Sequence, residues 1–139
     1  MFDGGWGVWI VAAVVLLLVL VLVAARQAFR PQLDPQRMFS SAQRREIFGR
    51  AGGTCEHKPL WWWRCSQVAS HADHVFPWSK GGMTHVANGQ AMCAKHNLRK
   101  SDWKPTRLYL WRLAHRRATY FPHGTQRHVV WRLNRTVRS

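Results

Sequence analysis

The sequence predicts an α+β chain in which an apolar N-terminal helix precedes a small domain of two strands and a helix, followed by a basic helical extension. Residues 4–25 carry no charge, residues 70–102 contain two strand patterns and then a helix pattern, and residues 103–139 are strongly basic. The first strand is predicted to end at Pro77, and the helix to start near Ala94. The predicted parts of the chain are therefore 4–25, 26–40, 41–102 and 103–139.

Charge and cysteine content limit the kinds of partner. The chain has 21 Lys and Arg against 6 Asp and Glu, which gives a net charge of +15. A nucleic acid or an anionic membrane surface is the expected partner, because each repeats negative charge over a comparable area. Nine tryptophans argue against a disordered chain. Three cysteines are too few for a disulfide framework and favour metal ligation in a reducing compartment.

Residues 4–25 predict a membrane span. The stretch is roughly 33 Å long as a helix, which is enough to cross a bilayer. Trp6 and Trp9 lie where interfacial tryptophans anchor a span. No Lys or Arg precedes the stretch, whereas arginines from Arg26 onwards follow it, so the positive-inside rule places the N-terminus outside and the rest in the cytoplasm. We expect a single-pass anchor in the cell membrane. The alternative, a cleavable signal peptide, needs a positive segment before the apolar run.

Two local patterns follow the span. Residues 26–40 carry two prolines and predict a juxtamembrane linker. Ser40-Ser41 predict the capped start of a helix that the glycine pair Gly52-Gly53 ends.

Four side chains have the types and spacing of a tetrahedral metal site. Cys93 and His96 form a Cys-x2-His pair at the start of a predicted helix, and Cys55 and Cys65 can complete a Cys3His set. Nine residues separate Cys55 from Cys65, so the segment between them must form a loop, with His57 as a substitute ligand. On cysteine content alone, a metal site and ordinary buried cysteines are both open.

The polar residues between and after the cysteines occur in a characteristic order: Asp73-His74-Val75-x-Pro77, Gly81-Gly82, Asn88-Gly89-Gln90 and Cys93-x2-His96-Asn97-x2-Lys100. Over residues 42–102 this order resembles the HNH endonucleases, whose catalytic core is the ββα-metal fold. The resemblance implies a metal-dependent enzyme that hydrolyses DNA phosphodiester bonds. It also implies a catalytic divalent cation, Mg2+ or Mn2+, and a structural Zn2+ that stabilises the small domain.

The resemblance further implies roles for individual residues. His74 matches the general base, and an imidazole with a pKa near 6.5 can accept a proton at cellular pH. Asp73 and Asn97 match the ligands of the catalytic cation, and an amide oxygen suits a hard divalent ion. Many family members end in Cys-x2-Cys-His, whereas this chain has His96-Asn97, so the roles of these two residues could be exchanged. Asn88 matches the middle asparagine, which ties down the loop and orients the base.

Other assignments concern phosphate contacts and strand geometry. Arg99, Lys100 and Lys80 are the candidate contacts to DNA phosphates. In a regular strand Asp73 and His74 point to opposite faces, so the strand must end or bulge where they both reach one phosphate. His71 shares the face of Asp73 and is a conceivable second ligand.

The C-terminal residues predict a basic amphipathic helix from Thr106 to Arg117, with Leu108, Trp111 and Leu113 among arginines. Packing on the domain, binding to the DNA backbone and binding to anionic lipid are all open for it. The tryptophan cluster at 61–63 is equally open to packing on the zinc site, base stacking or membrane contact.

The sequence therefore favours a single-pass membrane protein with a cytoplasmic HNH nuclease domain, no small-molecule cofactor, and DNA and the membrane as partners. The rival is a zinc-stabilised module that binds nucleic acid or a membrane without catalysis. The presence together of Asp73, His74, Asn88 and Asn97 favours the enzyme, because a binding module would need the cysteine set but not a carboxylate beside a histidine. A toxin delivered to other cells is disfavoured by the uncleaved anchor.

Overall fold

The computed structural model describes residues 5–28, 31–59 and 63–132, and the chain divides after Pro31 into two compact units. Within the described residues, the elements in chain order are α1 (Gly5–Ala28), α2 (Ser41–Arg50), β1 (His71–His74), β2 (Gly89–Met92), α3 (Ala94–Lys100) and α4 (Arg107–Arg117).

The first unit contains the predicted apolar helix. Its segment Trp6–Ala28 includes an 18-residue window with a mean hydropathy of 3.3, and none of that window is buried. Among the described residues, this is the one helix long and apolar enough to cross a membrane. The helix continues to Ala28, three residues beyond the predicted end, and takes Arg26 into its last turn.

The second unit begins with a capped helix, as the sequence predicts. The Ser40 hydroxyl accepts from the Gln43 backbone N–H, and the Gln43 side chain accepts from the Ser40 N–H, which forms a capping box at the start of α2. Ile47 is buried on the inner face of α2 and packs on β2. A Cβ at Gly89 would lie 2.3 Å from the Ile47 side chain, so this close approach requires glycine.

β1 and β2 form an antiparallel pair in which Asp73 lies opposite Gln90 and His74 opposite Gly89. β1 ends at His74, three residues earlier than the predicted end at Pro77. The reason is Asn88, because its side chain accepts from the Phe76 N–H at 2.9 Å and donates to the Phe76 carbonyl at 3.0 Å. Those two groups would otherwise be free to extend the ladder.

The segments around Cys55 and Cys65 form a second antiparallel pair. The Cys55 N–H donates to the Gln67 carbonyl and the Cys65 N–H to the His57 carbonyl, each at 2.9 Å. Cys55 and Cys65 therefore lie on adjacent arms of a hairpin, and His57 still belongs to the paired backbone. Trp61 and Trp62 lie outside the described residues, and Trp63 is exposed.

A buried ion pair joins α4 to this hairpin and to β2. Glu56 and Arg117 are each only 1% exposed, and Arg117 Nε donates to Glu56 Oε1 at 2.9 Å. Tyr120 also donates to Glu56, while Arg117 donates to the Gly89 carbonyl on β2. Every charge is thus hydrogen-bonded, which a buried pair needs in order to be tolerated.

Both segments that flank the predicted nuclease domain contribute to the second unit. The carboxylate of Asp34, in the predicted linker, accepts from the Thr84 N–H at 2.9 Å, and the Asp34 carbonyl accepts from Trp78 Nε1 at 2.8 Å. In the predicted extension, α4 buries Leu113 completely. The second compact unit accordingly starts at Gln32, earlier than the predicted boundary at residue 41.

Candidate functional site

The side chains of Cys55, Cys65, Cys93 and His96 converge on one point. Their ligand atoms all lie within 4.8 Å of one another, and His96 Nδ1 lies 3.2 Å from Cys93 Sγ and 3.6 Å from Cys55 Sγ. A tetrahedral zinc ion with Zn–S of about 2.3 Å and Zn–N of about 2.0 Å requires ligand atoms roughly 3.5–3.8 Å apart. The cluster could therefore hold a metal ion such as zinc, in agreement with the predicted ligand set.

Local structure explains how the ligands meet. The hairpin places Cys55 and Cys65 on adjacent backbone segments, whereas Cys93 is the N-cap of α3 and His96 lies in its first turn. His57, the predicted substitute ligand, is not in the ligand group and stacks on the His96 ring with centroids 3.9 Å apart. Burial and the nearby His96 lower the pKa of His57 to about 4, so the two rings stack without mutual charge repulsion.

The pKa shifts favour the metal-binding form at Cys93 and His96 but oppose it at Cys55. Burial raises the pKa of Cys55 to about 11. Burial also acts to raise the pKa of Cys93, but backbone N–H groups at the start of α3, with the neighbouring thiols, lower it below its ordinary value. Burial and nearby cationic side chains lower the pKa of His96 and favour the neutral imidazole that binds metals. Because the ligating form of cysteine is the thiolate, an ion must displace the Cys55 proton.

A separate cavity of about 300 Å³ lies at the end of β1 and is open to solvent. Asp73, His74 and Asn97 all line it, and so does His71. Asp73 and His74 both line this cavity, although adjacent residues of a regular strand point to opposite faces. His96 and Asn97, whose roles could be exchanged on the sequence, lie at the cysteine cluster and at the cavity respectively.

Two contacts hold the His74 ring. Its Nε2 lies 2.9 Å from Thr84 Oγ1, its face stacks on Phe39 with centroids 4.4 Å apart, and burial lowers its pKa. Thr84 donates its single hydroxyl proton to the Gln36 carbonyl, so its oxygen can only accept from His74. The ring is therefore the neutral Nε2–H tautomer, and Nδ1 carries the lone pair.

Asp73 has a cationic partner in this structure. Lys100 Nζ donates to Asp73 Oδ2 at 2.7 Å and to the His74 carbonyl at 2.6 Å, and the Lys100 side chain is only 8% exposed. Of the three predicted phosphate contacts, Lys100 is thus engaged within the domain. Lys80 pairs with Asp102 at 3.3 Å, and Arg99 is exposed on α3.

Asn88 is fully buried and does not line the cavity. Besides Phe76, its amide donates to the Met83 carbonyl at 2.9 Å, so one side chain ties both ends of the loop that follows β1. A Cβ at Gly82 would lie 2.0 Å from the Phe76 carbonyl oxygen, which explains the glycine. Asn88 therefore positions the loop and touches no group in the cavity.

Sequence reasoning missed the residues that support His74. Thr84, Gln36 and Phe39 lie in segments without periodicity, and their contacts join residues far apart in the chain. The one available signal was Asp34-Pro35, a turn-forming pair in the predicted linker. Comparison of the chain with protein-family models, curated proteins and solved structures gives no match.

Proposed function

We propose that the chain is a metal-dependent endonuclease of the HNH type that hydrolyses DNA phosphodiester bonds. The observation that carries the proposal is the cavity in which His74, Asp73 and Asn97 meet at the junction of β1 and α3. A proton acceptor, a carboxylate and an amide oxygen are the groups that metal-assisted phosphodiester hydrolysis requires. The net charge of +15 supports a polyanionic substrate.

His74 acts as the general base through Nδ1. Thr84 fixes the proton on Nε2, so Nδ1 accepts the proton of the attacking water as its oxygen bonds to phosphorus and the P–O bond to the leaving strand breaks. The lowered pKa of His74 keeps the ring neutral and able to accept that proton at cellular pH.

Asp73 and Asn97 are the residues that would hold the divalent cation, which supplies Lewis-acid stabilisation of the phosphate. In the described residues the second carboxylate oxygen of Asp73, Oδ1, has no hydrogen-bond partner. Lys100 binds Oδ2 and competes with the cation for this carboxylate. Arg99 and other exposed cations bind the flanking phosphates and position the strand.

The Cys3His cluster is proposed to hold a structural zinc ion that joins the hairpin to the start of α3. Four protein ligands close the coordination sphere, as in structural rather than catalytic zinc sites. Because Asn97 follows His96 directly, zinc at the cluster also fixes the helix that brings Asn97 to the cavity. α1 is proposed as the single membrane span, with its N-terminus outside and the nuclease domain in the cytoplasm.

One observation favours a second candidate function, a zinc-stabilised module without catalysis that binds nucleic acid or a membrane. The Lys100–Asp73 ion pair gives the carboxylate a structural partner that does not involve a metal ion. In that case the cavity would be a packing defect at the end of β1, and the arginines alone would determine binding.

A nicking assay on supercoiled plasmid separates the two functions. The full chain, purified in detergent, should nick DNA with Mg2+ or Mn2+ and not with EDTA. His74→Ala should lower the rate by roughly 10²- to 10⁴-fold, the usual contribution of a general base. His123→Ala, which changes an exposed histidine, is the matched control. Full nicking by a folded, zinc-loaded His74→Ala protein would exclude the proposed mechanism, and the binding module would replace it.

A further inference from the structure

α4 carries apolar side chains on both its inner and its outer face. Its inner face buries Leu113 and Ala114 in the domain. On its outer face, Leu108 is 56% exposed and Trp111 is 58% exposed. Large apolar side chains exposed next to each other in this way mark an interaction surface more often than an ordinary solvated face.

The outer face has arginines on both sides of the apolar residues. At about 100° per residue, Leu108 and Trp111 lie roughly 60° apart on the helix, and Arg107 and Arg112 lie about 40° outside them on either side. His115 is also exposed, lies between Leu108 and Trp111 on this face and packs against Trp111 with ring centroids 4.5 Å apart. We call these five residues the outer face of α4. Residues 103–139 contain no Asp or Glu.

A groove continues the apolar surface beside α4. It has a volume of about 530 Å³ and lies between the helix and Lys58-Pro59. Arg116 donates to the Lys58 carbonyl at 3.1 Å and fixes one wall. At the other wall of the groove, Trp103 is 49% exposed and packs edge-on against Tyr109.

We propose that the outer face of α4 docks on an anionic lipid bilayer. Interfacial tryptophan, a leucine that reaches the acyl boundary and flanking arginines that bind lipid phosphates are the composition of a helix lying in a membrane interface. A DNA backbone would engage the arginines but leave Leu108 in water, because backbone contacts come from polar and charged groups.

The short link between α1 and the second unit is the second argument that the outer face of α4 binds lipid. Only residues 29–31 separate the end of α1 from the start of the second unit, and extended chain spans at most about 3.5 Å per residue. Gln32, the first residue of the second unit, is therefore tethered within roughly 15 Å of the end of α1. Tethering at that distance makes weak docking effective, because the surface is always at high local concentration. The proposal requires α1 to span and does not require nuclease activity.

The test uses the full chain in nanodiscs whose lipids carry bromine on their acyl chains, which quench tryptophans that enter the bilayer. One preparation contains phosphatidylcholine alone, and the other also contains phosphatidylserine. Trp111→Phe keeps an aromatic ring at the interface, so the difference between wild type and variant isolates the emission of Trp111. We expect the brominated lipids to quench the Trp111 emission in the nanodiscs that contain phosphatidylserine. In the nanodiscs of phosphatidylcholine alone, the Trp111 emission should remain unquenched.

A charge reversal tests the flanking arginines. Arg107→Glu with Arg112→Glu should abolish the quenching of Trp111, whereas Arg45→Glu, which reverses an exposed arginine on α2, should leave it unchanged. Equal quenching in both lipids, or none in either, would overturn the proposal. It would also be overturned if the double reversal weakened duplex DNA binding and left quenching intact, because the face would then belong to nucleic acid. Zinc content and circular dichroism verify that each variant is folded.

Discussion

The two candidate sites share α3 but differ in how complete their ligand sets are. At the cysteine cluster, four donor atoms from the hairpin and α3 lie within 4.8 Å of one another and can close a tetrahedron. In the cavity, Asp73 is already bound by Lys100, and the space around it is open. The cluster is thus a site for which metal content and stability are the natural measurements. The cavity can be tested only through turnover and through competition between a cation and Lys100.

The largest expected effect is at the cluster. Cys93→Ser removes a thiolate and should abolish both zinc binding and folding of the second unit, because structural zinc contributes about 10–16 kcal/mol in small zinc-dependent folds. The measurements are zinc per chain by mass spectrometry and the circular dichroism of the full chain. His57→Ala is the control, since His57 stacks on His96 without belonging to the ligand group. A folded, zinc-free Cys93→Ser protein would show that the cluster holds no structural ion.

The next largest effect distinguishes the roles of His96 and Asn97, which are consecutive residues of α3. His96→Ala should behave like Cys93→Ser, because His96 Nδ1 points to the cluster. Asn97→Ala should remain folded and zinc-loaded, and should lose at least the 10- to 100-fold in activity or metal affinity that loss of an outer-shell partner typically costs. Plasmid nicking at graded Mg2+ concentrations, together with zinc content, measures both. If Asn97→Ala instead loses zinc and unfolds, while His96→Ala stays folded and loses activity, the ligand roles of His96 and Asn97 are exchanged.

The parts of this structure that sequence predicted are those determined by local chemistry. The capped start of α2, the start of α3 at Ala94 and the helix after Thr106 each depend on residues within one or two turns. The Cys3His ligand set was also predicted, because Cys93 and His96 form a local Cys-x2-His pair at a helix start that Cys55 and Cys65 can complete.

The contacts that sequence could not predict join distant segments. Thr84 and Gln36 are 48 residues apart, Arg117 and Glu56 are 61 apart, and Lys100 and Asp73 are 27 apart. Each depends on how the elements pack, and no periodicity records it. For this reason the predicted linker did not reveal that Phe39 and Gln36 support His74, and the predicted phosphate contact Lys100 did not reveal its ion pair.

A smaller effect is expected at the residue that orients His74. Thr84→Val keeps the shape but removes the acceptor of the Nε2 proton, so the nicking rate should fall by roughly 2- to 10-fold, the worth of one hydrogen bond. The KM for DNA should not change, because Thr84 contacts no substrate. Thr84→Ser should restore the rate, since it retains the hydroxyl. An unchanged rate in Thr84→Val would show that the contact plays no part in catalysis, whereas an equal loss in Thr84→Ser would indicate a packing defect.

The smallest expected effect bears most directly on the difference between the two sites. Lys100→Met removes the ammonium that occupies Asp73 and leaves the carboxylate free for a divalent cation. Mg2+ or Mn2+ should then stabilise the variant by about 1 kcal/mol at concentrations several-fold above Kd, and stabilise the wild type less, because Lys100 competes there. Thermal unfolding of the zinc-loaded full chain with and without the cation measures this difference. Lys100→Met combined with Asp73→Asn is the matched control and should not respond. If Lys100→Met alone shows no response either, Asp73 is a structural ion-pair partner, and the cavity does not bind a catalytic metal ion.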